Sequence, residues 1–368
     1  MWTSLRTTLG AAAITALMPA IVFNSSNTKS VKLFPKSATD SVKVDADDPA
    51  IWVHPTNPAL AVIIGTDKDS AAGGLSVWNL NGEQLQFVPI ERPNNVDVRY
   101  GMKLGSRTVD IAVTQECRKR TLRVFAIDST NGTLTDLTIA SGISTAELEA
   151  PYGLCLYRRA RDGAMFVITS SREGESAKGL HQYQLLDDGK GKVRGQYVRQ
   201  FGRQTIADKV EGLVADDELG FVYAADEEAA VRKYHADPAQ ENDKELAHFA
   251  LDDGIQGDRE GLAIYRCDEK TGYLLLSSQK GTKYSALKVY RREGEPDNPH
   301  EHKLLTTVDT IGSHETDGLE VTHHGVHERF PHGIIVKHDS PGRNFKIYSW
   351  QDFRLGMPQI CASSKAPR

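Results

Sequence analysis

Cysteine is scarce in this chain. Four occur, Cys117, Cys155, Cys267 and Cys361, too few and too scattered for a disulfide framework, and no CxxC pair offers a zinc or redox site. Positive charge is not in excess either. Lys and Arg total 44 against 49 Asp and Glu, a formal net charge of −5, and no stretch gathers the basic residues as a nucleic-acid groove requires. Nucleic acid is therefore excluded as a partner. Long capped segments with a 3.6-residue period are missing, so helix is a minor component. Past the N-terminus no apolar run is long enough to cross a bilayer. What is present, 39% hydrophobic residues in 368, suffices for a packed core.

The N-terminal segment differs from the rest. From Met1 to about Asn27 its only charge is Arg6, and an apolar run Leu9 to Met18 leads to Pro19 and a Ser/Asn patch. This reads as a secretory signal peptide. A retained membrane anchor is disfavoured because Pro19 interrupts a stretch already shorter than a span. The expectation is a cleaved segment 1–27 and one domain over 28–368, acting as a monomer in the periplasm or the medium. Disulfides are permitted there.

Internal repetition sets the architecture. A polar or acidic residue followed by alternating apolar ones recurs at Asp48-Pro49-Ala50-Ile51, Val96-Asp97-Val98, Tyr152-Gly153-Leu154, Glu211-Gly212-Leu213, Glu260-Gly261-Leu262 and Asp317-Gly318-Leu319. The spacing is about 50–60 residues. Each unit resolves into short strands separated by turn signals such as Asn81-Gly82 and Asn131-Gly132. The first predicts strands at 50–54, 60–65, 75–80 and 85–90, and the second at 96–100, 108–114, 121–127 and 134–139. The sixth offers only three, at 318–322, 333–337 and 345–350. These units predict an all-β, six-bladed propeller of four-stranded antiparallel blades. An N-terminal strand near residues 38–44 would complete the last blade. Two β-sandwiches would leave six phase-matched copies as coincidence.

Strand alternation sends the loop entering each innermost strand and the loop between the second and third strands to one end of the ring. The first loop set carries Asp45, Asp47, Asp48, Asn94, Asn95, Tyr152, Glu211, Asp258, Glu260, Glu315 and Asp317. The second carries Lys68, Arg118, Arg120, Arg172, Glu173, Asp226, Glu227, Gln279, Lys280, Lys337 and Asp339. So many carboxylates in one mouth repel one another and call for a bound cation. Their oxygens suit calcium rather than zinc. The interspersed Lys and Arg point to an anionic, phosphate-like ligand. Any single acid–Gly pair can simply satisfy a turn, and Tyr152 reads equally as core aromatic or ligand contact. Recurrence across blades favours a shared role. The cluster His323-His324-Gly325-Val326-His327 falls between the first two strands of its unit, hence at the opposite end.

Several longer phrases resemble the β-propeller phytases: Asp47-Asp48-Pro49-Ala50-Ile51-Trp52, Asn94-Asn95-Val96-Asp97-Val98-Arg99-Tyr100, Arg172-Glu173-Gly174, Asp258-Arg259-Glu260-Gly261-Leu262 and Glu315-Thr316-Asp317-Gly318. The likeness runs from about residue 40 to 353. It implies calcium-dependent hydrolysis of phytate, myo-inositol hexakisphosphate, using several calcium ions and attack by metal-bound water. By that resemblance Asp47 or Asp48, Glu211, Glu227, Asp258, Glu260 and Asp317 belong to the metal ligands. Lys68, Tyr152 and Arg172, with Glu173 and Glu227 alongside, take the catalytic positions, and Arg118 and Gln279 join Lys68, Tyr152 and Arg172 in binding substrate. The chain departs from the family pattern at Asp69, where a second basic residue is common. It departs again around Arg118, for which Arg120 is the other candidate. Competing readings are a calcium-dependent lactonase or esterase propeller, which has no use for the basic residues, and a non-catalytic binding propeller, which has no use for the metal.

Overall fold

The computed structural model describes Met1, residues 31–206, 209–240, 243–280 and 283–354, and Cys361. The expected signal peptide, Met1 apart, lies outside the described residues. In the unit Val31–Arg368 the strands form six antiparallel sheets. Their innermost strands are Ala46–Trp52, Val96–Leu104, Pro151–Arg158, Val210–Asp216, Arg259–Arg266 and Leu319–Val321. Each packs against the next, and the sixth returns to the first. This is a closed six-bladed propeller.

Ser37–Ala38 is the fourth strand of blade 6, pairing antiparallel with Ile347 and Lys346. The closing strand was expected at 38–44. It is shorter and begins earlier, and backbone bonds from Thr39 to Phe345 and from Val42 to Arg343 carry the contact onward without a regular ladder. A second N-terminal strand, Val31–Leu33, runs parallel along the outer strand of blade 5, Leu304–Thr310. In blade 2 the outer strand stops at Asp136 rather than 139. The Asp136 carboxylate accepts from the Thr138 amide at 2.7 Å, an Asx-type turn that ends the ladder.

Burial explains why the ring holds. Six apolar clusters each span one blade–blade boundary, so no blade covers its own faces. The closing boundary carries Val42, Ala46, Ile51 and Trp78 against Ile334, Phe345 and Ile347. Each of the larger side chains among these, Ile334, Phe345 and Ile347 included, contributes about 1.5–3 kcal/mol on full burial. The helix Trp350–Arg354 lays Trp350 flat on Tyr265 of blade 5, ring centroids 3.4 Å apart, and buries Phe353. Cys361 is joined to Cys267 by a disulfide.

The recurring acid–Gly phrase has a local structural cause. In blades 1, 3, 4 and 5 the innermost strand slips register between Ala46 and Pro49, Pro151 and Leu154, Val210 and Leu213, and Arg259 and Leu262. These β-bulges leave the intervening pair outside the ladder and re-aim its side chains. In blade 1 the pair is Asp47-Asp48; in blades 3, 4 and 5 it ends in a glycine that permits close approach by the next blade. A Cβ at Gly212 would sit 2.0 Å from the Glu260 carbonyl oxygen, and one at Gly153 2.3 Å from that of Glu211. The bulges, with the glycines in blades 3, 4 and 5, draw Asp47, Tyr152, Glu211 and Glu260 to one end of the channel.

Candidate active site

Glu211, at the start of blade 4, is a hub. One oxygen accepts from the Tyr152 hydroxyl at 2.8 Å and the other from Asn94 Nδ2 at 2.5 Å. Three consecutive blades thus meet on one buried carboxylate. Lys68, just past the second strand of blade 1, donates to Asp47 Oδ1 at 2.5 Å and to Asp317 Oδ2 at 3.2 Å. Gln279, just past the second strand of blade 5, donates to Glu260 Oε1 at 3.0 Å and reaches Asp317 Oδ1 at 3.5 Å. Asp317 is supported from below, where its amide donates to His338 Nδ1 at 3.0 Å.

Between blades 4 and 5, Glu227, Asp258 and Glu260 each present an oxygen, all within 4.8 Å of one another. Glu227 Oε2 is met by the Lys209 ammonium at 2.5 Å. Its Oε1, together with Glu260 Oε2 and Asp47 Oδ2, is buried with no hydrogen-bond partner. Buried carboxylate oxygens without partners are costly. The energetics follow. Burial, then repulsion from Glu211, Asp317 and Glu227, pushes the Glu260 carboxyl well above the ordinary carboxylate range. Asp47 is raised by burial, against the pull of Lys68, and Glu227 by burial, against its bond from Lys209. The Tyr152 hydroxyl rises too, from burial and then Glu211. Asp317 goes the other way: burial is the largest single influence and raises it, but Lys68, His338 and the bond with Asp47 together outweigh burial. A hard cation among these oxygens would reverse the first three shifts and satisfy the stranded atoms. The donor set fits a metal ion.

The remaining expected residues fall into two groups. Arg172 is exposed at the lip, its guanidinium 5.2 Å from the centroid of the Tyr152 ring, close enough to share a ligand with it. Glu173 is exposed beside it, and its peptide carbonyl is tied down by Ser171 and Ser176. Asp48 turns away from the mouth. Its carboxylate accepts from the Val96 amide at 3.0 Å and lines a cavity of about 590 Å³ in the channel beyond, which also holds Arg99, His323 and His324. Of the pair Asp47 and Asp48, the first faces the cluster. Arg118 is exposed in the turn Cys117–Lys119, and no contact ties it to the carboxylates. Lys337 is not a mouth residue at all. Its strand continues to Asp339, so Lys337 lies inside the ladder, wholly buried and bonded to Ser285 Oγ and Thr310 Oγ1. Asp226 likewise pairs with Arg232 at 2.8 Å.

Sequence reasoning missed Lys209. It lies two residues before Glu211 in the very loop set that was read for acids, and a scan of that set for cations would have found it.

A propeller whose blades deliver carboxylates and cations to one mouth has the donor set for a metal ion and the charges to meet an anion beside it. The phytase family model matches residues 3–358. A curated 3-phytase of Bacillus subtilis (strain 168) is 35% identical over 328 residues, covering 86% of this chain and 82% of that protein. The chain belongs to the phytase family. Among solved structures, a luciferin-regenerating enzyme aligns with a TM-score of 0.49 at 13% identity, over 85% of this chain and 92% of its own.

Proposed function

We propose that the mouth holds calcium and binds phytate on it, so that the protein is a calcium-dependent phytase acting outside the cytoplasm, after loss of the N-terminal signal segment. Family membership makes the protein a phosphoric monoester hydrolase. The observation that carries calcium is the trio of buried, partnerless oxygens on Asp47, Glu227 and Glu260. They are hard oxygen ligands that no donor satisfies, and those of Glu227 and Glu260 belong to the cluster with Asp258. Glu211, Asp258 and Asp317 complete the ligand set. When bound, calcium supplies charge neutralisation for the phosphoryl oxygens and lowers the pKa of water.

The chain's own groups do the rest. Lys68 and Arg172 approach the mouth from different blades and grip phosphate oxygens, Arg172 as a fork and Lys68 as a point charge. Tyr152, its hydroxyl fixed by Glu211 and its ring beneath Arg172, orients the ester for in-line displacement of the inositol oxygen by water. Gln279 keeps Glu260 turned toward the cluster. The basic residues separate this reading from a lactonase, whose neutral substrate has no need of them.

Phosphate released from phytate by the purified mature chain tests the proposal, assayed after chelation and again after calcium is restored. Activity that disappears and returns is expected. Hydrolysis of lactones or phosphotriesters without phosphate release from phytate would overturn it.

A further inference from the structure

The innermost strands of blades 1, 3, 4 and 5 slip register at the mouth, and the residue paired just before the slip differs in one of them. It is Ala46, Pro151 or Val210 in blades 1, 3 and 4, and Arg259 in blade 5. All four are buried, Arg259 to 6% exposure. Placing a guanidinium where an apolar residue serves elsewhere is unfavourable unless its donors are met. Peptide carbonyls meet them. Nε donates to Ala250 at 2.8 Å, Nη2 to Leu251 at 2.8 Å and Nη1 to Glu227 at 3.1 Å. The Arg259 amide donates to the same Glu227 oxygen at 3.1 Å.

These bonds bear on every member of the carboxylate triad. Glu227 is gripped at its own carbonyl, by the side chain and backbone of Arg259 together. Asp258 and Glu260 flank Arg259 in the chain. Asp258 ends the loop 250–258, which leads from the outer strand of blade 4 into blade 5. By holding the first two carbonyls of that loop, Arg259 closes it on itself. Ala250 has a φ of 60°, a left-handed geometry that is unfavourable for alanine and persists only where its surroundings impose it. We infer that Arg259 is the positioning residue of the metal site: it fixes Glu227 of blade 4 against the Asp258 and Glu260 of blade 5 before an ion enters. The inference rests on the calcium-phytase reading above and deepens it. Without the fork the three carboxylates would have to be ordered on binding, at the expense of affinity.

The test is calcium titration calorimetry on the chelator-stripped protein, beside thermal melting in EDTA, for wild type, Arg259→Met and Arg259→Lys. Glu260→Gln, run alongside, marks which part of the titration belongs to the triad. Arg259→Met supplies the apolar side chain that the other blades carry at this place, and Arg259→Lys keeps the charge but loses the fork. Calcium affinity of the triad should fall about tenfold or more in both, with Arg259→Lys the less affected. A role confined to packing would lower the melting temperature in EDTA and leave the affinity of the folded variant alone. Wild-type triad affinity in either folded variant would therefore overturn the inference, and Arg259→Lys decides the matter if Arg259→Met does not fold. Failure of the underlying reading would show instead in the wild-type protein, as no calcium binding or no phosphate released from phytate.

Discussion

Replacing Glu260 by glutamine should move stability in opposite directions with and without metal. Glu260 Oε1 holds the Gln279 amide and Oε2 has no partner, so the substitution keeps the one hydrogen bond and removes only charge. An oxygen of Glu260 lies within 4.8 Å of one from Glu227 and one from Asp258. At that separation two full charges repel by about 3 kcal/mol at an effective dielectric near 20. Partial protonation already relieves some of this, since burial and its acidic neighbours raise the Glu260 pKa. A net gain of about 1–2 kcal/mol in the metal-free protein is what remains. In EDTA the variant should then melt about 2–4 °C above wild type. In excess calcium the order inverts, because a charged oxygen ligand is gone, and calcium affinity should fall by about 100-fold or more. Thermal denaturation in the two buffers, with calcium calorimetry, measures all three. A variant that melts below wild type in EDTA yet keeps wild-type calcium affinity would refute the electrostatic argument.

Tyr152→Phe removes the donor to a buried Glu211 oxygen; a stability loss of about 1–3 kcal/mol and a fall of at least about tenfold in kcat for phosphate release are expected from denaturant titration and steady-state kinetics. The stripped protein should lose stability as pH rises from about 6.5 to 8. Glu320 is pushed up to about 8 by burial and then by Asp97, so it binds its proton more tightly folded than unfolded, and that contribution vanishes as the pH climbs through its folded value. Buried His338, held down near 4 by burial, acts with the opposite sign but only below the ordinary histidine value. Melting curves in EDTA across this range should slope downward. Cys361→Ser opens a cross-link spanning a sequence separation of 94 residues, for which chain entropy sets a ceiling of about 4–5 kcal/mol. The melting temperature should drop by several degrees while phosphate release at 25 °C is unchanged.

The ring was legible in the sequence because one dipeptide does two jobs in successive blades. The acid or tyrosine of each acid–Gly pair serves the mouth and the glycine lets the next blade close in, so function and packing leave the same trace at the same interval. Blade 6 was readable from its deficit of one strand, although the closing strand is reduced to Ser37–Ala38 plus isolated backbone bonds. Choosing between Asp47 and Asp48 was beyond the sequence. Neighbours on a strand point to opposite sides, and a bulge at that point hides which side is which. Lys337 was misplaced because a strand longer by two residues, to Asp339, turns a loop cation into a buried one. Arg118 had no counterpart phrase to fix its register. Nothing in four scattered cysteines marks Cys267 and Cys361 as partners, since their pairing depends on where the C-terminal segment returns against blade 5.

The account stands on distant side chains converging to hold a cation, and anomalous diffraction from crystals of the mature chain grown with calcium addresses that directly. The account predicts peaks at the mouth, bounded by Glu227, Asp258 and Glu260. Full diffraction from calcium-saturated crystals with no anomalous peak among those carboxylates would contradict it.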